Sequence, residues 1–192
     1  MTIPITKAEI RQVCLLQRQQ LATEFIQQAS QKIVSTILSM PAYQRAQHIA
    51  WYYPSRGEVD LTLLWPSALA QKKSCYLPTI QPNHSLDFLA FNSETHFHPN
   101  HYYILEPISE NVKTISPKDL DIVFVPIVAF DDQHRRLGMG KGYYDQTLVN
   151  NPGPLLIGVA YEWQKQINLP ADPWDISIPL IITEQKIYSL SE

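Results

Sequence analysis

The chain has 192 residues, 45% of them apolar and 17% charged, which fits one ordinary globular domain over 1–192 and excludes a disordered chain. Its 15 basic against 18 acidic side chains leave a formal charge of −3, which excludes a broad nucleic-acid footprint and requires any anionic ligand to be met locally. The longest apolar run, residues 122–130, is too short to span a bilayer, and with no signal core and no CxxC pair from Cys14 and Cys75 a cytoplasmic protein without membrane partners is expected.

In chain order, Thr6-Lys7-Ala8-Glu9 has the form of a capping box and opens a stretch free of Gly and Pro, which predicts one helix over 6–38, broken by Ser39-Met40-Pro41. Ala22, Ile26, Ala29, Ile33 and Ile37 recur at three or four residues and give its second half a core-facing stripe. Lys7, Arg11 and Arg18 fall within about 40° of one another on the same helix. By itself such a stripe reads as a solvated face. Beyond it, short apolar runs predict strands at 48–53, 74–77, 86–91, 121–125, 155–160 and 180–183, with helices at 61–71 and 143–149. Pro126 should end the fourth strand, leaving 127–130 as loop, 150–154 as a turn, and 92–117 as long irregular loops. This alternation predicts a single-domain three-layer α/β sandwich around a mostly parallel sheet.

Of six glycines, three lie in Gly138-Met139-Gly140-Lys141-Gly142, between a strand-plus-loop and the helix expected at Tyr143. Glycine recurs where φ is positive or where a ligand approaches the main chain, so amides of the loop and of the helix start can cradle phosphate. Arg135, Arg136 and Lys141 add positive charge, and Asp145, one turn into the helix, is placed to hold magnesium. The pattern is neither a Walker loop nor GxGxxG, and a glycine-rich turn with surface cations is the alternative. Tyr53 and Glu58 follow the first strand, where open α/β sheets bind ligands, and Glu58 can accept hydrogen bonds from an amino-bearing heterocycle or simply favour a helix start. His96, His98 and His101 have no metal-site spacing and read as a polar loop; Cys14 has no activating neighbour in the sequence.

With these residues in view, the chain resembles the 5-formyltetrahydrofolate cyclo-ligases. The resemblance is carried by Val125-Pro-Ile-Val-Ala-Phe-Asp131 running into Arg136-Leu-Gly-Met-Gly-Lys-Gly-Tyr-Tyr-Asp145, with weaker matches at Gly57-Glu-Val-Asp60, Glu106-Pro107 and Trp174-Asp-Ile-Ser-Ile-Pro-Leu-Ile-Ile-Thr-Glu184. It implies ATP and 5-formyltetrahydrofolate as ligands and Mg2+ as cofactor. Lys7, Arg11, Arg136, Leu137, Gly138, Met139, Gly140, Lys141, Gly142, Tyr143 and Tyr144 would bind ATP. Arg136, Lys141 and Tyr143 would be catalytic, and Asp145 and Asp175 would hold the metal. Tyr53 and Glu58 would meet the folate, with Met139 to Tyr143 between the two substrates. Trp174 stands where many relatives carry His, so no histidine role carries over. A non-catalytic nucleotide or folate binder, and a kinase of another small molecule, are the rival readings.

Overall fold

The computed structural model describes residues 6–108, 112–149 and 151–190. It begins with α1 (Lys7–Gln19), whose first turn is closed by the expected capping box: Thr6 accepts from the Glu9 amide and Glu9 from the Thr6 amide. The predicted single helix is two, because α2 (Thr23–Ser39) starts afresh after residues 20–22. Neither Gly nor Pro makes the break. Gln20 caps α1 at φ −93° and ψ −1°, and Ala22 turns extended at φ −66° and ψ 143°. The cause is tertiary: α1 buries Ile10 and Cys14 against Ala129 and Leu137, whereas α2 buries Ala29, Ile33 and Ile37 against the main sheet. One straight helix would have to serve both surfaces.

Next come α3 (Pro41–Arg45), β1 (His48–Ala50), a 3-10 turn at Thr62–Leu64 running into α4 (Trp65–Ala70), β2 (Ser74–Ile80) and β3 (Leu86–Phe91). β1 is shorter than predicted; the Trp51 amide still bonds to Tyr76, and the chain then leaves the sheet. The segment expected as long loops contains a hairpin of β4 (Phe97–Pro99) and β5 (Leu105–Pro107), then β6 (Thr114–Ile115), while 109–111 lie outside the described residues. Then follow β7 (Ile122–Pro126), β8 (Ala129–Phe130), β9 (Arg136–Leu137), α5 (Tyr143–Leu148), β10 (Leu155–Val159), β11 (Leu180–Ile182) and β12 (Ile187–Ser189). The loop predicted at 127–130 is thus half strand: after Pro126 leaves the sheet, Ala129 and Phe130 pair with Leu137 and Arg136. Of the turn expected over 150–154, residue 150 lies outside the described set.

The main sheet has the order β12-β11-β10-β7-β1-β2-β3-β6, parallel from β11 through β2 and antiparallel at both margins. β7 is central and buried on both faces, as its unbroken apolar run requires. Ile122 and Phe124 join the core under α2, α3 and α4, and Val123 and Val125 join the core on the opposite face with Leu148 of α5. The three-layer α/β expectation holds. Among the described residues, no helix is long and apolar enough to cross a membrane.

Candidate functional site

β1 connects onward to β2 on one side of the sheet, and β7 connects to β10 on the other. Between their carboxyl ends the chain directions diverge, and open α/β sheets take ligands at such a switch point. A cavity of about 550 Å³ opens there, within the roughly 300–1,000 Å³ of small-molecule sites. Its walls include every residue that the resemblance assigned to a ligand or metal: Lys7 and Arg11 from α1, Tyr53 and Glu58 after β1, the run from Arg136 to Asp145, and Asp175.

The glycine loop leaves β9 and returns as α5. Gly142 caps α5 in the left-handed region at φ +71°, and Gly140 sits at φ +90° with the position of a Cβ only 3.0 Å from the Arg11 guanidinium carbon. Gly138 has open space where its Cβ would be: among the described residues, no heavy atom beyond its two chain neighbours lies within 4 Å of that position. Among the described residues, none of the backbone N–H groups of 138–142 donates a hydrogen bond within the protein. α5 has six residues, too short for much dipole, so of the loop and helix-start amides expected to serve an anion, the loop's own are the better placed to donate.

The cations divide unequally. Lys141 is exposed and among the described residues forms no ion pair; Arg11 donates from Nε to the Gly138 carbonyl at 2.9 Å, fixing the loop to α1. Arg136 is buried, its Nη1 2.8 Å from Asp145 Oδ1 and 2.9 Å from the Ile176 carbonyl. Arg135, expected to serve the loop, turns away to the buried Asp131 at 2.9 Å and to Asn168. Lys7 contacts Asp172 at 2.7 Å and Asp175 at 2.5 Å; burial disfavours its charge, but these two carboxylates outweigh that and raise its pKa. Arg18, the third member of the helical stripe, is neither solvated nor in the cavity wall: it is buried beside Glu58.

At the other end of the cavity Glu58 is almost covered, and burial pushes its carboxyl pKa up against the opposing pull of Arg18. Burial likewise raises the phenols of Tyr52 and Tyr144. Tyr53 lies edge-on to Trp65. The wall that sequence reading missed comes from the β4–β5 hairpin, which contributes Asn100, Tyr102, Ile104 and Glu106. Asn100 Oδ1 accepts from the amides of Tyr102 and Ile104 while its Nδ2 donates to the buried Glu106, a turn that sets Tyr102 with its hydroxyl 3.2 Å from that of Tyr143. Asp172 and the exposed Trp174 complete the rim. The one available signal was the Asx-turn residue Asn100.

Asp145 and Asp175 each use one oxygen within the protein, for Arg136 and Ile176 in the first case and for Lys7 and Asp172 in the second. Among the described residues, no hydrogen bond reaches Oδ2 of Asp145 or Oδ1 of Asp175, and no three His, Cys, Asp or Glu side chains are grouped to hold a metal by themselves. Two hard oxygens on a cavity wall suit Mg2+ carried in on phosphates, which needs only one or two carboxylates from the protein. His96, His98 and His101 are no part of the cavity wall, and Cys14 is a buried thiol whose pKa burial raises.

These features place the chain among the α/β proteins with a cavity at the carboxyl ends of a mostly parallel sheet, where such folds take ligands. The family follows from comparison. A model of the 5-formyltetrahydrofolate cyclo-ligase family matches residues 5–184, and the chain belongs to that family. It is 38% identical over 156 residues to the 5-formyltetrahydrofolate cyclo-ligase of Haemophilus influenzae, covering 79% of this chain and 83% of that one. To the enzyme of the same name from Escherichia coli K12 it is 30% identical, covering 89% and 96%. Among solved structures, the 5,10-methenyltetrahydrofolate synthetase of Aquifex aeolicus superposes with a TM-score of 0.87 at 35% identity, covering 98% of this chain and 94% of the other.

Proposed function

We propose that the protein converts 5-formyltetrahydrofolate to 5,10-methenyltetrahydrofolate at the expense of ATP, with the glycine loop holding the triphosphate and Glu58 holding the folate. Membership of the family supports the reaction. The single observation that supports the assignment of ends is the loop itself, whose amides have no partner among the described residues, whose Gly138 leaves open space, and which is flanked by Arg11, Arg136 and Lys141.

The chemistry asks for alignment and charge neutralisation. The formyl oxygen, a poor leaving group on an amide-like carbon, attacks the γ-phosphorus and ADP departs. The neighbouring folate amine then attacks the activated carbon, its proton is lost, and phosphate leaves with the original oxygen as the methenyl ring closes. No covalent enzyme intermediate is needed. Lys141 and the loop amides meet the charge that develops on the transferring group, Arg136 anchors Asp145 beside it, and Arg11 holds the loop in register. Lys7 reaches the phosphates when they draw it from its carboxylate partners. Mg2+ bound with the nucleotide, at Asp145 and Asp175, would supply further neutralisation of phosphate charge. Tyr143, with Tyr102 against it, lies at the junction of the two substrates. A cytoplasmic setting agrees with two buried free thiols, Cys14 and Cys75.

The test is an incubation of the purified protein with 5-formyltetrahydrofolate, magnesium and ATP, following methenyl absorbance and ADP together. Equal appearance of both is expected. ADP without methenyl product would make it a kinase of another substrate, and ligand binding with neither product a sensor.

A further inference from the structure

The helix that supplies Lys7 and Arg11 carries a third cation that ends inside the protein. Arg18 is 2% exposed. Its Nε donates to the Arg56 carbonyl at 3.0 Å, Nη1 lies 3.5 Å from the Ile127 carbonyl, and Nη2 lies 3.4 Å from Glu58 Oε1. Arg56 belongs to the segment after β1 and Ile127 to the segment after β7, so one guanidinium joins the two strand ends between which the cavity opens. A buried guanidinium requires a compensating anion. Among the described residues Glu58 is the one acid within ion-pair distance of it, and its side chain is 9% exposed.

The two oxygens of Glu58 are differently engaged. Oε2 accepts from the Ser55 amide at 3.0 Å and from the Ser55 hydroxyl at 3.4 Å. Among the described residues, Oε1 has only the long contact to Arg18, which leaves it lone pairs for a ligand in the cavity that Glu58 lines.

We propose that Arg18 is a positioning residue for the folate end of the site: its guanidinium pairs with Glu58 and aims it, so that Oε1 accepts hydrogen bonds from N–H groups of the bound heterocycle. This rests on the reading of Glu58 given above. The groups facing Glu58 are Ser55 and Arg56 on its own segment, Arg18 on α1, Tyr52 after β1, Tyr144 on α5 and Tyr161 after β10. Burial raises all three phenols, so they stay neutral through the range in which Glu58 changes charge. A guanidinium that only tied Arg56 to Ile127 would make the protein less stable when lost and would lower activity equally at every pH.

The experiment compares purified Arg18→Gln, Arg18→Lys, Glu58→Gln and the Arg18→Lys/Glu58→Gln double variant, with kcat and the KM of each substrate measured from acidic to neutral pH. Arg18→Gln is expected to raise the 5-formyltetrahydrofolate KM about tenfold at neutral pH and to move the acidic limb of kcat/KM upward by about one pH unit, with the ATP KM unchanged. Arg18→Lys keeps the charge and loses the planar fork, so the limb stays and the folate KM rises severalfold. That rise disappears in the Glu58→Gln background. A limb unmoved by Arg18→Gln, or equal losses toward both substrates, overturns the proposal. If Arg18→Gln does not fold, the double variant decides: additive effects of Arg18→Lys and Glu58→Gln on the folate KM overturn it. Glu58→Gln with an unaltered folate KM removes the underlying reading of Glu58, whereas a raised KM with additivity removes only the role of Arg18.

Discussion

The two ends of the parallel sheet use similar polar groups to opposite effect. At the amino ends, Lys73 just before β2 places its Nζ 3.1, 3.0 and 2.6 Å from the carbonyls of Tyr43, Gln44 and Ala46 at the close of α3. Nearby, Asp121 just before β7 accepts from the amides of Gln47 and His48 at 2.7 and 2.8 Å. Here the chain's own groups satisfy one another. At the carboxyl ends Lys141 is exposed, and among the described residues the loop amides have no partner and Asp145 and Asp175 each keep an oxygen that accepts nothing. Buried polar groups that close on themselves stabilise the fold, and groups left with spare capacity on a cavity wall are available to a ligand. Substitutions at the two ends should therefore separate activity from stability.

The largest effect is expected at the loop. Lys141→Ala should lower kcat by about a hundredfold or more, in the range seen when one transition-state donor is removed, with the melting temperature unchanged. Arg136→Ala should cost as much activity, but its side chain is 4% exposed and holds Asp145 and the Ile176 carbonyl, so melting should fall too. A Lys141→Ala enzyme with full turnover would break the contrast at its stronger end. At the opposite end, Lys73→Met would leave the three carbonyls at the close of α3 without this donor and should cost about 2–3 kcal/mol in urea unfolding, with both KM values unchanged. A changed KM there would show that the ends are not independent.

Smaller, and confined to one substrate, is the effect expected of Gly140→Ala. A Cβ at φ +90° costs about 1–2 kcal/mol of backbone strain, and it would meet the Arg11 guanidinium at 3.0 Å, an end that can move aside. The ATP KM should rise severalfold and the folate KM should not. Equal changes in both would mean that the loop does not discriminate between the two halves of the cavity.

What was legible in the sequence follows the same division. The glycine loop shows because positive φ at Gly140 and Gly142 is a local demand that only a few residue types meet, and β7 shows because burial on both faces writes an unbroken apolar run. The hairpin wall does not show. Its turn is built by the Asn100 side chain with Tyr103 at φ +62°, so no glycine marks it, and Tyr102 reaches the cavity only through pairing of β4 with β5. The basic stripe on α1 was visible, but not its partition. Lys7 and Arg11 face the cavity and Arg18 the interior because the helix crosses the rim between them, a matter of docking that periodicity cannot express.

The smallest effect tests whether charge, rather than shape, fastens the amino ends. Burial alone would raise the Asp121 pKa, but the amides of His48 and Gln47 outweigh it and hold the carboxyl below its ordinary value of 3.8. A carboxyl depressed on folding contributes stability that is complete above its unfolded pKa and is lost as pH falls through the folded one. Asp121 is exposed, so solvent screening keeps the contribution near the low end for a charged hydrogen bond, about 1 kcal/mol. Asp121→Ala should therefore unfold in less urea than the native protein at neutral pH, and the difference should close as pH falls below about 4. A difference that persists unchanged into acid would mean that the neutral carboxyl holds the two amides equally well, and that the strand starts are fastened by geometry and not by charge.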